Sequence, residues 1–222
     1  MPPGTITALT VQAGDQHRVN VFVDGAFAIG VSLATLQNEG LFKGQVLSPE
    51  DWQRLEQAES DHKAWEAALR LLEVRPRAER EIRDRLRRKQ YDAEQIDRVI
   101  VRLRELGLLD DLQFARLWVA NRAATKPKGA QGLRRELMSK GIDRRIAGDV
   151  VDAALDPETE AAACERVARQ AMGRYASTAD WPAFQRKLGA LLQRRGFAWE
   201  TIAPILRRLW SERGGTDDLL DD

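Results

Sequence analysis

One apolar pattern occurs three times along this chain, and the repetition constrains the fold more than any other feature. The copies begin at Ile82, Leu133 and Leu188, so they start 51 and 55 residues apart. In each copy a second apolar residue follows four positions later, and a glycine or glutamine follows four positions after that. Spacings of this length are typical of helical repeats, which bury their apolar faces by stacking on their neighbours. The sequence therefore predicts a mainly α fold, an elongated tandem array of three three-helix repeats.

The N-terminal region differs from the rest, because its apolar residues alternate with polar ones. The alternation covers the runs 5–12, 18–23 and 26–31, and this is the period of a half-buried strand. Asp24 and Gly25 separate the last two runs and favour the tight turn of a hairpin. The sequence predicts a small N-terminal β-hairpin or meander.

Helix-capping residues set the predicted boundaries. Ser48 followed by Pro49 opens a long helix that should run toward Glu73. Pro76 separates this helix from the next, and Gly107 ends the first repeat, since glycine adopts the left-handed C-cap most easily. The predicted divisions are an N-terminal extension at 1–47, a linking helix with repeat 1 at 48–107, repeat 2 at 108–155, repeat 3 at 156–213 and an acidic flexible tail at 214–222.

Charge is distributed unevenly, although the formal net charge is only +1. The net charge is −4 over residues 1–63, +6 over 64–154 and −1 over 155–222. The first two repeats form a basic block, which can be the footprint of a polyanion. Mixed Arg and Glu faces on helices are also common as solvated surface with i,i+4 pairs. Composition leaves both interpretations open.

Two groups of cations within the basic block are the candidate binding residues. If residues 77–89 form a helix, a rotation of 100° per residue puts Ile82 and Leu86 on one side and the basic residues on the other. The second group surrounds the loop with Pro127 and Gly129, where long cations could contact phosphates or acidic side chains. The predicted binding residues are Arg77, Arg80, Arg87 and Arg88 in the first group, and Arg122, Lys126, Lys128, Arg134, Arg135 and Lys140 in the second.

The sequence contains no recognisable catalytic or metal centre. Asp110 and Asp111 precede an amphipathic helix, so N-capping explains them better than acid–base chemistry does. His17 and His62 are expected at the surface rather than on a metal, and no glycine-rich phosphate loop follows a strand. The single cysteine, Cys164, permits no internal disulfide. The protein is therefore predicted not to be an enzyme and to need no cofactor or metal.

Residues 107–142 resemble the signature of the RecX regulatory proteins. The matching residues are Gly107-Leu108-Leu109-Asp110-Asp111 with Phe114 and Ala115, then Lys128-Gly129, and then Leu133, Glu136, Leu137, Lys140, Gly141 and Ile142. The similarity extends over about residues 64–210. Two residues depart from the family pattern: Gln90 stands where a turn often has glycine, and Ala130 where proline often follows the Lys-Gly pair.

The resemblance implies a curved rod of three-helix repeats that lies in the groove of the RecA filament on DNA. Such a protein is a negative regulator of the RecA recombinase, and it reduces ATP hydrolysis, strand exchange and filament growth. The residue patterns alone support a less specific prediction. They indicate a partly basic helical array that could bind a negatively charged filament or nucleic acid.

Two other functions are compatible with the residues alone. A DNA-binding regulator would use the helix–turn–helix near residues 89–93, but Glu94, Arg98 and Glu105 mix charges on the outer face of the would-be recognition helix. A helical-repeat scaffold without RecA specificity is the other. We expect a monomer that binds single- or double-stranded DNA weakly. Since no apolar run of 18 residues and no signal-peptide pattern is present, the sequence predicts a cytoplasmic protein without membrane contact.

Overall fold

The computed structural model describes residues 4–175, 177–178 and 180–214, and it contains two compact units. The first comprises the chain up to Arg75 together with Ile82–Leu108, and the second comprises Pro76–Glu81 and the chain from Leu109 onward. One of the boundaries, between Glu81 and Ile82, falls within a helix. Of the predicted acidic tail at 214–222, only Gly214 is among the described residues.

A four-stranded antiparallel sheet forms the N-terminal part of the first unit. Between its second and third strands, Asp24 and Gly25 have φ angles of 49° and 84°, the left-handed conformation that a type I′ turn requires. The predicted hairpin is therefore confirmed. A fourth strand of two residues was not predicted, because two residues show no alternation. The strands are β1 (Gly4–Gln12), β2 (Asp15–Val23), β3 (Ala26–Ser32) and β4 (Val46–Leu47), in the order β3-β2-β1-β4.

The described residues contain ten α-helices. They are α1 (Leu33–Asn38), α2 (Pro49–Val74), α3 (Glu79–Arg88), α4 (Ala93–Glu105), α5 (Asp111–Thr125), α6 (Ala130–Ser139), α7 (Arg144–Ala154), α8 (Pro157–Ala171), α9 (Trp181–Arg194) and α10 (Trp199–Glu212). Helices α2–α4, α5–α7 and α8–α10 are the three predicted repeats, and a 3-10 turn follows α8. Throughout the described ranges, each helix is too short or too polar to cross a membrane.

Helices α2 and α5 begin at the capping residues that the sequence indicated. The hydroxyl of Ser48 accepts a hydrogen bond from the Asp51 backbone N–H at 3.1 Å, and the Asp51 carboxylate accepts one from the Ser48 N–H at 3.0 Å. Asp110 and Asp156 accept N–H bonds in the first turns of α5 and α8. Each cap satisfies backbone donors that a helix leaves unpaired.

The turn between the second and third helices is the same in all three repeats. Its key residue has φ of 66° at Gln90, 92° at Gly141 and 87° at Gly196. Glycine tolerates this left-handed conformation without steric cost, whereas a residue with a Cβ does not. Gln90 departs from the family pattern in residue type but keeps the turn geometry.

The start of α3 differs from the prediction. The Asp111 carboxylate accepts a hydrogen bond from the Glu79 backbone N–H at 2.9 Å, and the helix begins at Glu79 instead of residue 77. Arg77 therefore precedes the helix, where its side chain pairs with Glu81 and is only 9% exposed. The prediction that Arg77 lies on an exposed basic helix face was wrong, because rotation by 100° per residue applies only inside a helix.

The sheet and α2 share one hydrophobic core. Trp52 and Leu55 of α2 are buried with Ile6, Val21 and other strand residues. This core crosses the predicted boundary between residues 47 and 48.

A buried carboxylate also ties α2 to the sheet. The side chain of Glu59, 1% exposed, accepts hydrogen bonds from Arg18 at 2.8 Å, from the Ser32 backbone N–H at 2.9 Å and from the Thr35 hydroxyl at 3.1 Å. Lys63 lies 3.5 Å away. The charge is thus both paired and hydrogen-bonded, as a buried charge must be.

In the second unit, repeats 2 and 3 meet at three glycines, which we call the glycine joint: Gly129, Gly132 and Gly196. A Cβ on Gly132 would lie 2.3 Å from the carbonyl oxygen of Arg195, and one on Gly129 would lie 2.4 Å from that of Gly196. The Gly129 N–H donates to the Arg195 carbonyl at 3.2 Å. The start of α6 therefore packs backbone to backbone against the turn between α9 and α10.

Candidate partner-binding surface

One carboxylate gathers several of the predicted cations in repeat 2. Glu136 on α6 accepts hydrogen bonds from the Arg122 guanidinium at 2.8 Å, from Lys128 Nζ at 2.7 Å and from the Trp118 indole N–H at 3.1 Å. The donors come from α5 and from the loop that follows it, so Glu136 fixes the loop against two helices. We call Trp118, Arg122, Lys128, Glu136 and Lys140 the Glu136 cluster.

Trp118 also contacts two cations through its ring. The Arg122 guanidinium carbon lies 4.4 Å from the ring centroid and Lys140 Nζ lies 4.8 Å from it, both within the range of a cation–π interaction. The ring stacks on Phe114 as well. Three cations and one carboxylate leave the cluster with a local charge of about +2.

The protonation of Glu136 follows from these contacts. Burial by itself would raise the pKa of its carboxyl, but the hydrogen bonds from Arg122, Lys128 and Trp118 outweigh burial and hold the pKa below its usual value. Glu136 is therefore ionised at neutral pH, and its charge orients the cations around it.

The other predicted residues of this group lie around the cluster without joining it. Lys126 is exposed at the end of α5, and within the described part of the chain its side chain has no polar partner. Arg135 is exposed and makes one long bond, 3.3 Å, from Nε to the Gln131 carbonyl. Arg134 pairs with Asp152. Lys126 and Arg135 are thus the cations of this group most available to a partner.

The four predicted cations near α3 lie in different surroundings. Arg77 is buried against Glu81, as described above. The aliphatic part of Arg80 lies against Gly141. A Cβ added to Gly141 would lie 2.4 Å from the Cβ of Arg80. Arg87 pairs with Asp84 at 2.9 Å on the surface, and Arg88 is exposed. Arg77 and Arg87 thus form i,i+4 and i,i+3 pairs, as in the alternative interpretation of this charged segment.

Other reactive groups are few in the described ranges. No set of three or more His, Cys, Asp or Glu residues could hold a metal there. His62 lies 3.3 Å from Glu66, which is a single pair and not a ligand set. Cys164 is buried, and burial with the nearby Glu160 and Glu165 raises the pKa of its thiol to about 12, so the thiol is protonated and unreactive.

Sequence reasoning missed an apolar groove on the second unit. It encloses about 410 Å³, and its lining includes Leu112, Val119 and Val150 together with Arg116 and Arg166. Most lining residues come from three helices, α5, α7 and α8, and the others come from α6 and from the loops beside these helices. Periodicity identifies the inward face of each helix, but it does not show where three such faces leave a space between them. No local sequence signal would have located this groove.

Comparison with known proteins gives the family. In chain order, the matching domains are the regulatory protein RecX N-terminal domain at residues 4–48 and the first, second and third RecX three-helix domains at 64–103, 110–155 and 158–206. The regulatory protein RecX of Listeria monocytogenes serovar 1/2a is 30% identical over 213 residues, which is 96% of this chain and 78% of that protein. The chain belongs to the RecX family.

A second RecX relative aligns over a shorter stretch. The regulatory protein RecX of Listeria monocytogenes serotype 4b, strain F2365, is 33% identical over 147 residues, or 66% of this chain. In that alignment the chain spans about half of the relative's length, 55%.

A solved structure agrees with the RecX fold. A crystal structure of regulatory protein RecX superposes with a TM-score of 0.74 at 25% identity, over 90% of this chain and 98% of that one. The resemblance seen in residues 107–142 is thus confirmed over the whole array. The Glu136 cluster lies in the second RecX three-helix domain.

Proposed function

We propose that this chain is a negative regulator of the RecA recombinase. It binds in the groove of the RecA–DNA filament and reduces ATP hydrolysis, strand exchange and filament growth. The observation that carries the proposal is membership of a family of regulatory proteins through all four RecX domains. The predicted absence of catalysis fits this role, because a regulator acts by occupying a surface.

We infer that repeat 2 supplies the main contact with the filament. The Glu136 cluster keeps a positive local charge while its cations are held in place, and preorganised cations lose less conformational entropy on binding. Lys126 and Arg135 lie beside the cluster with their charged groups available. Acidic side chains of a protein filament and phosphates of its DNA are both suitable partners.

The test measures ATP hydrolysis by RecA on single-stranded DNA with sub-stoichiometric amounts of this protein. The parent should inhibit, and Lys126→Ala/Arg135→Ala should inhibit several-fold more weakly. The control is Arg186→Ala/Lys187→Ala, which removes two exposed cations from α9 and should inhibit like the parent. This pair of variants is matched in charge change, and neither removes a side chain that holds Glu136.

Salt separates electrostatic from other binding. Each phosphate contact contributes about 0.7 to the slope of log affinity against log salt on single strands, and about 0.9 on duplex. Raising salt should therefore weaken the parent more steeply than the repeat 2 variant. Equal inhibition and equal salt dependence of the two would refute the proposed surface while leaving the family function intact.

Binding to DNA without RecA distinguishes the alternative functions. A DNA-binding regulator would bind single- or double-stranded DNA tightly by itself and would affect RecA only by competing for DNA. A scaffold without RecA specificity would show neither binding nor inhibition. If the unmodified protein leaves RecA unaffected, the proposed function is wrong.

A further inference from the structure

The apolar groove on the second unit has an open, largely hydrocarbon lining. It lies among α5, α7 and α8, and the loop before α6 closes one end with Pro127 and Lys128. Leu112, at its edge, is 37% exposed. Its main apolar residues are Leu112, Val119, Leu133, Val150, Leu155 and Ala163. A groove of this size and chemistry suits one or two leucine side chains of a peptide.

Two cations flank the groove with their charges unused. Arg116 on α5 and Arg166 on α8 are both exposed and line the groove, and neither has an ion pair or hydrogen bond of its side chain anywhere in the described ranges. The lining holds one acid, Asp149, which lies 3.9 Å from Arg145. The groove therefore favours an occupant that combines leucines with acidic residues.

The last described helix, α10, is bound near its end to α8, one of the helices that line the groove. Glu212 of α10 makes two hydrogen bonds to Arg169 of α8, at 2.8 and 2.9 Å. Arg169 is three residues beyond Arg166 on the same helix, a rise of about 4.5 Å. The sequence continues from Gly214 for eight more residues, which can span up to about 26 Å when extended. That segment can therefore reach the groove within one molecule.

The composition of the segment matches the groove. Its last six residues are Asp217, Asp218, Leu219, Leu220, Asp221 and Asp222. Two leucines are thus flanked on each side by two carboxylates, and cations flank the apolar lining on α5 and α8. We propose that residues 217–222 dock in this groove of their own molecule, with Leu219 and Leu220 among the apolar residues and the aspartates beside Arg116 and Arg166.

A spin label at the end of the tail tests the docking. Because Cys164 is buried and its thiol stays protonated, Asp222→Cys supplies the only readily labelled cysteine. In the labelled full chain, the methyl signals of Val119, Val150 and Leu155 should broaden several-fold. Adding Leu219→Ser/Leu220→Ser should remove this broadening. Equal broadening of the groove methyls with and without this double change would overturn the proposal.

Charge variants and isotope mixing identify the occupant. Arg116→Glu/Arg166→Glu should release the tail, whereas Arg186→Glu/Lys187→Glu, with the same charge change on α9, should not. A mixture of isotope-labelled chain without spin label and spin-labelled chain without isotope reports contacts between copies. Broadening of the groove methyls in that mixture would show that a second copy's tail occupies the groove and would refute docking within one molecule. RecA is absent from these samples, so the result is independent of the proposed function.

Discussion

At the residue scale, one carboxylate determines how several cations of repeat 2 are presented. Glu136 fixes Arg122 and Lys128, and these cations are therefore structural parts of the surface as well as charges on it. Lys126 and Arg135 have no such structural contact with Glu136. Removing a cation that holds Glu136 and removing an exposed one should consequently have different effects on stability.

The pKa of Glu136 leads to a prediction about acid stability. Its folded pKa is below the ordinary value of 4.5, so its charge contributes stability that is present above this pH and is lost as pH falls through the folded pKa. Glu136→Gln should lower the free energy of unfolding by about 1–2 kcal/mol at pH 7, and the difference from the parent should shrink below pH 4.5. Urea unfolding at several pH values measures both effects.

An exposed ion pair supplies the control for Glu136. Asp152 pairs with Arg134, but its side chain is 66% exposed, and such pairs contribute little. Asp152→Asn should change stability by less than about 0.5 kcal/mol. A loss as large as that of Glu136→Gln would show that burial of Glu136 does not strengthen its interactions.

Gln90 carries a strained backbone that glycine would relieve. Its φ of 66° lies in the left-handed region, which costs a residue with a Cβ about 1 kcal/mol or more. Gln90→Gly removes this strain, but glycine also has a larger conformational entropy in the unfolded chain, which opposes folding. The net effect should be a stabilisation of about 0.5 kcal/mol. Thermal unfolding would show a raised Tm, and a lowered Tm would mean that the Gln90 side chain makes a compensating contact.

The candidate site could be predicted from the sequence only in part. The sequence identified the basic block and the loop around Pro127 because charge and turn residues are local properties. It did not identify Glu136 as the partner of Arg122, since the two are 14 residues apart on different helices. Nor did it predict that Arg77 would be buried, because that depends on where α3 begins.

At the scale of elements, helix boundaries were predictable where the cap is local. Ser48, Asp110 and Asp156 cap helices that follow them directly. The start of α3 was not predictable in this way. Its capping carboxylate, Asp111, accepts a hydrogen bond from the Glu79 N–H, which lies 32 residues earlier in the sequence. The same arrangement recurs at α6, where Glu160 accepts a hydrogen bond from the Ala130 N–H at 2.8 Å. An acid in the first helix of one repeat thus supports the second helix of the repeat before it.

The glycine joint predicts opposite effects for two identical substitutions. Gly132→Ala places a Cβ 2.3 Å from the Arg195 carbonyl oxygen, so it should cost about 2 kcal/mol or more through strain at the joint. Gly148→Ala meets nothing within 4 Å in the interior of α7 and should stabilise by about 0.5–1 kcal/mol through helix propensity. Chemical denaturation of both variants measures the contrast. Similar effects of the two would contradict the close approach of α6 to the turn.

At the scale of the whole molecule, each unit has its own buried core. Among the described residues, the sheet and the start of α2 bury one core in the first unit, and apolar residues of α2–α4 are buried there as well. Helices α5–α7 and α8–α10 each bury a core in the second unit. The sequence predicted the helical array and the sheet because their periods differ. It did not predict that the boundary between the two units would fall inside α3. The spacing of apolar residues is continuous along that helix, whereas the residues that each of its ends contacts depend on the tertiary structure.

The buried carboxylate of Glu59 gives a prediction about the units. Glu59→Ala should destabilise the first unit by about 3–5 kcal/mol, because it leaves Arg18 without its buried partner. Hydrogen exchange should show lost protection in the sheet and α2, with amides of α8–α10 keeping theirs. The control is Glu56→Ala on the exposed face of α2, which should leave both unchanged. Equal loss of protection in all repeats would mean that the chain unfolds as one cooperative body.

The glycine joint also limits how this protein can change in evolution. A larger residue in an ordinary core can be accommodated when a neighbouring side chain becomes smaller. At Gly129 and Gly132, however, the nearest atoms to an added Cβ are backbone carbonyl oxygens, which no neighbouring substitution can remove. These positions should therefore tolerate fewer substitutions than buried leucines such as Leu137. Substitutions in the surrounding helices are likewise limited to those that keep the two backbones in contact.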